Sequence, residues 1–156
     1  MLVLIFEVAD ERYAVPARSV LEVVPRPETR GVPGAPPWVL GLFAREGAFV
    51  PVIDLVRLIS FAPCPRGASS RVAIISRSRG SAVRSLGLLA PGMTRVVELG
   101  ESAGHGLHVA GQEFLGTILR SGALDAQLVD VDRLLPPAVD ALLFGAAASE
   151  GEERTP

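Results

Sequence analysis

The residues most suggestive of covalent chemistry are 100–104, which match the Gly-x-Ser-x-Gly pattern of a hydrolase nucleophile elbow centred on Ser102. That motif needs a helix directly after the serine and, later in the chain, a histidine that serves as the base. The residues that follow are rich in glycine, which disfavours a helix, and no histidine follows His108. The pattern indicates a loop between strands, and a small serine hydrolase using Ser102 remains the alternative from a different functional class.

The remaining reactive side chains are sparse. His105 and His108 are the only histidines, whereas a zinc site needs three or four ligands with oriented partners. Cys64 is the only cysteine and has no histidine close in sequence that would lower the pKa of its thiol. A single cysteine also excludes an internal disulfide and favours a reducing compartment. We therefore expect no catalytic residue, no metal site and no cofactor.

The bulk composition narrows the class of protein further. The chain has 156 residues, of which 49% are hydrophobic and 21% charged, with a formal net charge of −2. This length is typical of one domain, and the charge gives no basic surface for nucleic acid. No run approaches the roughly 18 apolar residues of a membrane helix, and the apolar residues 1–8 lack the basic start of a signal peptide. These features predict a cytoplasmic protein with no nucleic-acid binding and no direct membrane insertion.

Short apolar runs separated by Gly, Pro and charged turns are typical of an all-β chain. Residues 61–70 are rich in Pro, Gly and Ser, which marks the best candidate for an internal boundary. Pro136 and Pro137 open the one convincing helix, because proline is favoured in a first helical turn. We expect this helix to span residues 137–148 and a disordered polar tail to span 149–156.

The two halves of the chain resemble each other. Four residues around one predicted hairpin recur 75 positions later: Leu40, Gly41, Arg45 and Gly47 as Leu115, Gly116, Arg120 and Gly122. Three residues after that hairpin recur 76 positions later: Asp54, Arg57 and Leu58 as Asp130, Arg133 and Leu134. A unit of about five short strands has exposed edges and little core, and curling two such units into barrels that pack together remedies both. The repeat predicts two similar five-stranded β-barrels, the first over about 1–60 and the second over about 71–136.

Five segments resemble the CheW-like family of chemotaxis coupling proteins. They are YAVP at 13–16, VLEVV at 20–24, GAPPW at 34–38, GLFAREG at 41–47 and VPVIDL at 50–55. The second half agrees more loosely, through residues 86–88 and 128–134. The resemblance covers nearly the whole chain and implies a single CheW-like domain over 1–148, built from two SH3-like barrels. Residues 35–39 and 41–43 are also similar to alternative-pathway members such as the Wsp-type surface-sensing systems.

The resemblance implies a non-enzymatic adaptor. Its partners would be the regulatory domain of a CheA-type histidine kinase and the cytoplasmic tip of a methyl-accepting receptor, and it would be recruited to receptor arrays at the membrane. Two alternatives within the binding class are a regulatory module that competes with another coupling protein, and an SH3-like peptide binder outside chemotaxis. The latter needs clustered aromatic side chains, whereas aromatics make up 5% of this chain.

The resemblance also implies an interface, with Val20, Glu22, Arg45, Glu46 and Gly47 at the positions that lie near the family's receptor-binding region. The family's Asn-Leu-Arg-Gly turn reads Ala-Arg-Glu-Gly here, so that Glu46 stands where the family has arginine. Glu22 and Glu46 would then meet as like charges unless Arg45 turns toward Glu22. We expect Val20 to be solvent-accessible as an apolar anchor ringed by these charges.

Overall fold

The structure, a computed structural model, describes the backbone of residues 1–67, 69–79, 82–101 and 112–152. Its strands are β1 (Leu2–Val8), β2 (Glu11–Pro16), β3 (Val20–Pro25), β4 (Val39–Arg45), β5 (Ala48–Asp54), β6 (Ser70–Arg79), β7 (Ala82–Glu98), β8 (Gly100–Glu101), β9 (Leu115–Ser121) and β10 (Leu124–Val129). Its helices are α1 (Leu55–Ser60) and α2 (Pro137–Glu152), with 3-10 turns at Ala17–Ser19 and Val131–Arg133. The all-β class with a C-terminal helix is confirmed.

Strand pairing divides the chain between two sheets that share β7. Sheet I has the order β3-β6-β7-β5-β4, and sheet II has the order β7-β1-β2-β10-β9-β8. Strand β7 is 17 residues long. Its residues 82–91 pair with β6 in sheet I, and its later residues pair with β1 in sheet II. One continuous strand therefore links the two halves of the fold.

The predicted division into barrels over 1–60 and 71–136 is wrong. Strands β1 and β2 pair with β7 and β10 in sheet II, whereas β6 and the first part of β7 pair with β3 and β5 in sheet I. The reason lies in β1, where four consecutive residues, Val3 to Phe6, are buried. Because alternate side chains leave opposite faces of a strand, such a strand needs cover on both faces. In the fold, Leu4 and Phe6 join the main core while Val3 and Ile5 join a second core inside sheet II.

Neither sheet closes into a barrel through a continuous ladder in the described part of the chain. The edges of sheet I approach where Arg30 and Leu42 exchange two backbone hydrogen bonds of 2.7 Å each. In sheet II, β8 follows β7 after one residue and pairs with β9 at the far edge. The segment between β3 and β4 contains several prolines, which have no N–H to donate to a ladder. The predicted barrels are thus two curled, incompletely bonded sheets.

The internal repeat predicted from the sequence is a repeat of structure. Hairpins β4–β5 and β9–β10 each turn through a glycine of positive φ, Gly47 at 78° and Gly122 at 61°. Each ends in an aspartate that caps the following helical turn through its side chain, Asp54 for α1 and Asp130 for the 3-10 turn. The second strand of each hairpin also pairs in parallel with an inner strand, β5 with β7 and β10 with β2.

Helix α2 packs on sheet I through Val139 and Leu143, which are four residues apart and buried in the main core. Arg77 of β6 is 2% exposed, and its Nη2 lies 3.4 Å from Asp140 Oδ2. Its Cζ lies 6.0 Å from the ring centroid of Phe144. The helix continues to Glu152 rather than ending at 148, so the predicted tail begins inside it, and residues 153–156 lie outside the described residues.

Candidate interaction site

The turn between β4 and β5 is a two-residue loop closed by the pair Arg45 and Ala48. Its central residues, Glu46 and Gly47, both have positive φ, at 51° and 78°. Positive φ at both positions is what a type I′ hairpin turn requires, and glycine adopts it without steric penalty. The side chain of Glu46 is 78% exposed. The turn therefore presents a carboxylate to solvent at one end of sheet I.

Strand β3 forms an edge of sheet I and carries a bulge. Val20 lies opposite Ile75 and Glu22 lies opposite Ile74, so that Leu21 is an extra residue in the register. A bulge re-aims side chains locally, and here it leaves Leu21 57% exposed. Val20 is half-buried and packs against the main core. Leu21 is thus an exposed apolar side chain beside Glu22.

An ion pair connects this bulge with the β4–β5 turn. Arg45 Nη2 lies 2.6 Å from Glu22 Oε2, and Arg45 Nη1 lies 3.6 Å from Glu46 Oε2. The hydrogen bond from Arg45 to Glu22 raises the pKa of the guanidinium, so this side chain stays charged. One cation between two carboxylates leaves the cluster with a net charge of −1. The arrangement places charged groups beside exposed apolar surface, which is the layout of many protein interfaces.

The structure brings together four of the five candidate residues in one cluster: Glu22, Arg45, Glu46 and Gly47. The fifth, Val20, is half-buried and packs against the main core. Sequence reasoning missed Leu21 and Val23, which are 57% and 36% exposed. Four of the five residues at 20–24 are apolar, so simple alternation could not tell which of them faces solvent. The bulge decides this, and its position is set by pairing with β6.

Comparison with known proteins identifies the fold and the family. The family model described as a CheW-like domain matches residues 2–138. The chain belongs to the CheW-like domain family. Proteins of this family are scaffolding proteins rather than enzymes.

Two individual proteins resemble this CheW-like chain. Protein FrzA of Myxococcus xanthus is 36% identical over 55 residues, which is 35% of this chain and 34% of FrzA. The match thus spans about a third of the length of that relative. The scaffolding protein TtCheW of Thermoanaerobacter tengcongensis has a crystal structure that superposes with a TM-score of 0.72 at 19% identity. The superposition covers 88% of this chain and 89% of TtCheW, which shows that the two proteins share a fold.

Of the residues singled out for chemistry, Cys64 lies in the described part of this CheW-like fold. Cys64 is buried, and burial together with the charge of Asp54 raises the pKa of its thiol to about 11, against a smaller opposing effect of Arg26. Asp54 instead holds the loop after α1, because its Oδ2 accepts a hydrogen bond of 2.9 Å from the Cys64 N–H. Ser102, His105 and His108 lie outside the described residues.

The described residues also bear on two other kinds of site, a metal centre and a membrane-spanning helix. They contain no cluster of three or more His, Cys, Asp or Glu side chains that could hold a metal ion. Across the same ranges, no helix has both the length and the apolar character needed to cross a membrane.

Proposed function

We propose that this CheW-like protein couples the regulatory domain of a CheA-type histidine kinase to the cytoplasmic tip of a methyl-accepting receptor. It would act in the cytoplasm and be recruited to receptor arrays. The observation that carries the proposal is the cluster on sheet I, where exposed Leu21 and Val23 stand beside the Glu22–Arg45–Glu46 charges. Val20, Glu22, Arg45, Glu46 and Gly47, together with Leu21, would form the receptor contact.

A coupling protein also needs a second surface that can be occupied at the same time. Sheet II offers one at its β1–β7 ladder, where Leu2 is 55% and Val96 is 56% exposed. Leu2 pairs with Glu98 and Leu4 pairs with Val96, so Leu2 and Val96 belong to neighbouring positions of two paired strands. Adjacent cross-strand positions are close enough for their side chains to form one patch. We assign the kinase regulatory domain to this patch.

The two assignments can be tested with one pair of variants that serve as controls for each other. Leu21→Ala should weaken binding of a receptor-tip fragment about fivefold or more, as expected for an interface residue worth more than about 1 kcal/mol, and should leave kinase binding unchanged. Val96→Ala should weaken kinase binding to a similar degree and leave receptor binding unchanged. Titration calorimetry of both variants against both fragments measures this directly.

Two results would count against coupling. If Leu21→Ala leaves receptor binding unchanged, the receptor does not use the sheet I cluster. If wild type binds the kinase domain and no receptor tip, the protein is instead a regulatory module that competes with another coupling protein for the kinase.

A further inference from the structure

A polar cleft of about 400 Å³ lies at the end of β4 away from the charged turn. It is lined by Arg26, Pro27, Glu28, Thr29, Leu40 and Arg66. Leu40 and the Arg45 turn are separated by five residues of strand, or about 17 Å at the usual rise per residue. The cleft is therefore distinct from the proposed receptor contact.

The charged side chains of this cleft have no ion-pair partner among the described residues. Within the ranges that the structure describes, neither Arg26 nor Arg66 forms an ion pair, and Glu28 forms none either. Arg26 Nη1 is inaccessible to solvent and has no hydrogen-bond partner there. A buried donor left without an acceptor is unfavourable, and more so when the donor is charged. An acceptor that entered the cleft and drew the guanidinium toward it would relieve this.

Both arginines are held by short, restrained segments. Pro25 and Pro27 flank Arg26 and restrict its backbone. On one side of Arg66, the Cys64 N–H donates to the buried Asp54 carboxylate at 2.9 Å. On the other side, Ser70 Oγ donates to the Gly67 carbonyl at 2.9 Å. The two guanidinium groups are thus presented from anchored segments, which reduces the entropy lost when a ligand binds.

We propose that this cleft binds an oxyanion, a phosphoryl or carboxylate group, held by Arg26 and Arg66. The planar guanidinium fork matches both groups, each of which can accept two parallel hydrogen bonds. Glu28 limits the net charge of the cleft to +1, and its carboxylate repels an anionic ligand. The volume is in the range of small-molecule sites, so the bound group is the headgroup of a small ligand or one acidic side chain.

The test uses the full chain and two probes, inorganic phosphate and acetate, each titrated at constant ionic strength balanced with chloride. The amide NMR shifts of Arg26, Glu28, Thr29, Cys64, Arg66 and Gly67 should saturate with at least one probe. Response to phosphate alone identifies a phosphoryl ligand, and response to acetate identifies a carboxylate. No saturable shift in these residues with either probe would overturn the proposal.

Three variants distinguish a built site from general ionic effects. Arg66 has an exposed side chain, so Arg66→Gln should leave the fold intact. This variant should weaken binding about tenfold, as expected for a charge-assisted hydrogen bond. Glu28→Gln should strengthen binding severalfold by removing a repulsive charge. Arg12→Gln, an exposed arginine on β2, should change nothing. If Arg66→Gln and Arg12→Gln weaken probe binding equally, Arg66 does not belong to an oxyanion site. Weaker binding to the Glu28→Gln variant than to wild type would also contradict the proposal.

Discussion

Arg45 Nη2 lies 2.6 Å from Glu22 Oε2, and this ion pair spans the two edge strands of sheet I. No ladder joins β3 to β4 within the described residues, so the pair bridges an open seam near the turn. A second connection, between Arg30 and Leu42, bridges the same seam further along β4. Glu46, whose side chain is 78% exposed, is the most exposed charge of the three.

The charge of Glu46 should set the affinity for an ordinary receptor tip. Glu46→Arg restores the family's charge and should strengthen binding severalfold at low salt, because long-range attraction replaces repulsion. The gain should shrink as added salt shortens the Debye length from about 10 Å at 0.1 M to about 3 Å at 1 M. Calorimetry at two salt concentrations measures it, with Glu46→Gln as the intermediate case. If Glu46→Arg binds no better than wild type, the turn lies outside the receptor contact.

The packing of β5, β6 and β7 can be tested through Gly87. A Cβ at this position would lie 2.9 Å from Val72 Cγ1 and 3.1 Å from Val52 Cγ2. Gly87→Ala should therefore lower the free energy of unfolding by about 1–3 kcal/mol through overpacking. Because Val72→Ala makes room, the double variant should be more stable than the sum of the single effects by about 1 kcal/mol. Denaturant melts of the three variants measure this, and strict additivity would place Val72 away from Gly87.

The two hairpin aspartates should differ in their contribution to stability. Asp54 is buried, and its carboxylate accepts hydrogen bonds from the N–H groups of Arg57 and Cys64. The Asp130 carboxylate lies nearer the surface, where it accepts a hydrogen bond from the Asp132 N–H and pairs with Arg133. Asp54→Ala should lower the free energy of unfolding by about 2–4 kcal/mol, combining a lost cap with an unsatisfied buried donor. Asp130→Ala should lower it by about 1 kcal/mol, the loss of a cap alone. Similar losses in the two variants would mean that the Cys64 contact contributes little.

Cys64 should react slowly in the folded protein. With a thiol pKa of about 11, the thiolate fraction at pH 8 is roughly 100-fold below that of a cysteine with the ordinary pKa of 9.0. Alkylation by iodoacetamide should therefore be at least that much slower than in urea-unfolded protein, and should keep accelerating with pH beyond 9. Because the folded thiol retains its proton above the ordinary pKa of 9.0, stability should fall between pH 9 and about 11, and less so in Cys64→Ser. Equal alkylation of folded and unfolded protein would show an exposed thiol.

Much of the fold follows from local patterns in the sequence. The repeat predicted equivalent hairpins, and the structure ends each of them with an aspartate cap after a glycine turn. The strand β1 is apolar on both faces, and its residues Val3 to Phe6 are buried. Its pairing with β7 could not be predicted, because an apolar run does not indicate which strands cover it. The assumption that each half folds on itself therefore placed β1 and β2 in the wrong sheet.

For the candidate interaction site, the sequence predicted the residues involved but not their contacts. The resemblance to the family predicted that Glu22 and the β4–β5 turn lie in the interface. The charge reversal at Glu46 left open whether the Arg45 side chain approaches Glu22. Arg45 approaches Glu22 because the edge strands β3 and β4 come close together without forming a ladder, and the sequence does not indicate this approach. The exposure of Leu21 depends on the bulge opposite β6, a non-local feature of register. The oxyanion cleft joins segments 40 residues apart, Arg26 and Arg66, and carries no sequence motif.

Coupling itself is tested most directly by cosedimentation of the kinase regulatory domain with vesicles that display receptor tips. We expect the kinase domain to pellet only when this protein is present. Leu21→Ala should reduce that recruitment by weakening receptor binding, and Val96→Ala should reduce it by weakening kinase binding. Kinase pelleting that is independent of this protein, or that falls as this protein is added, would contradict the account.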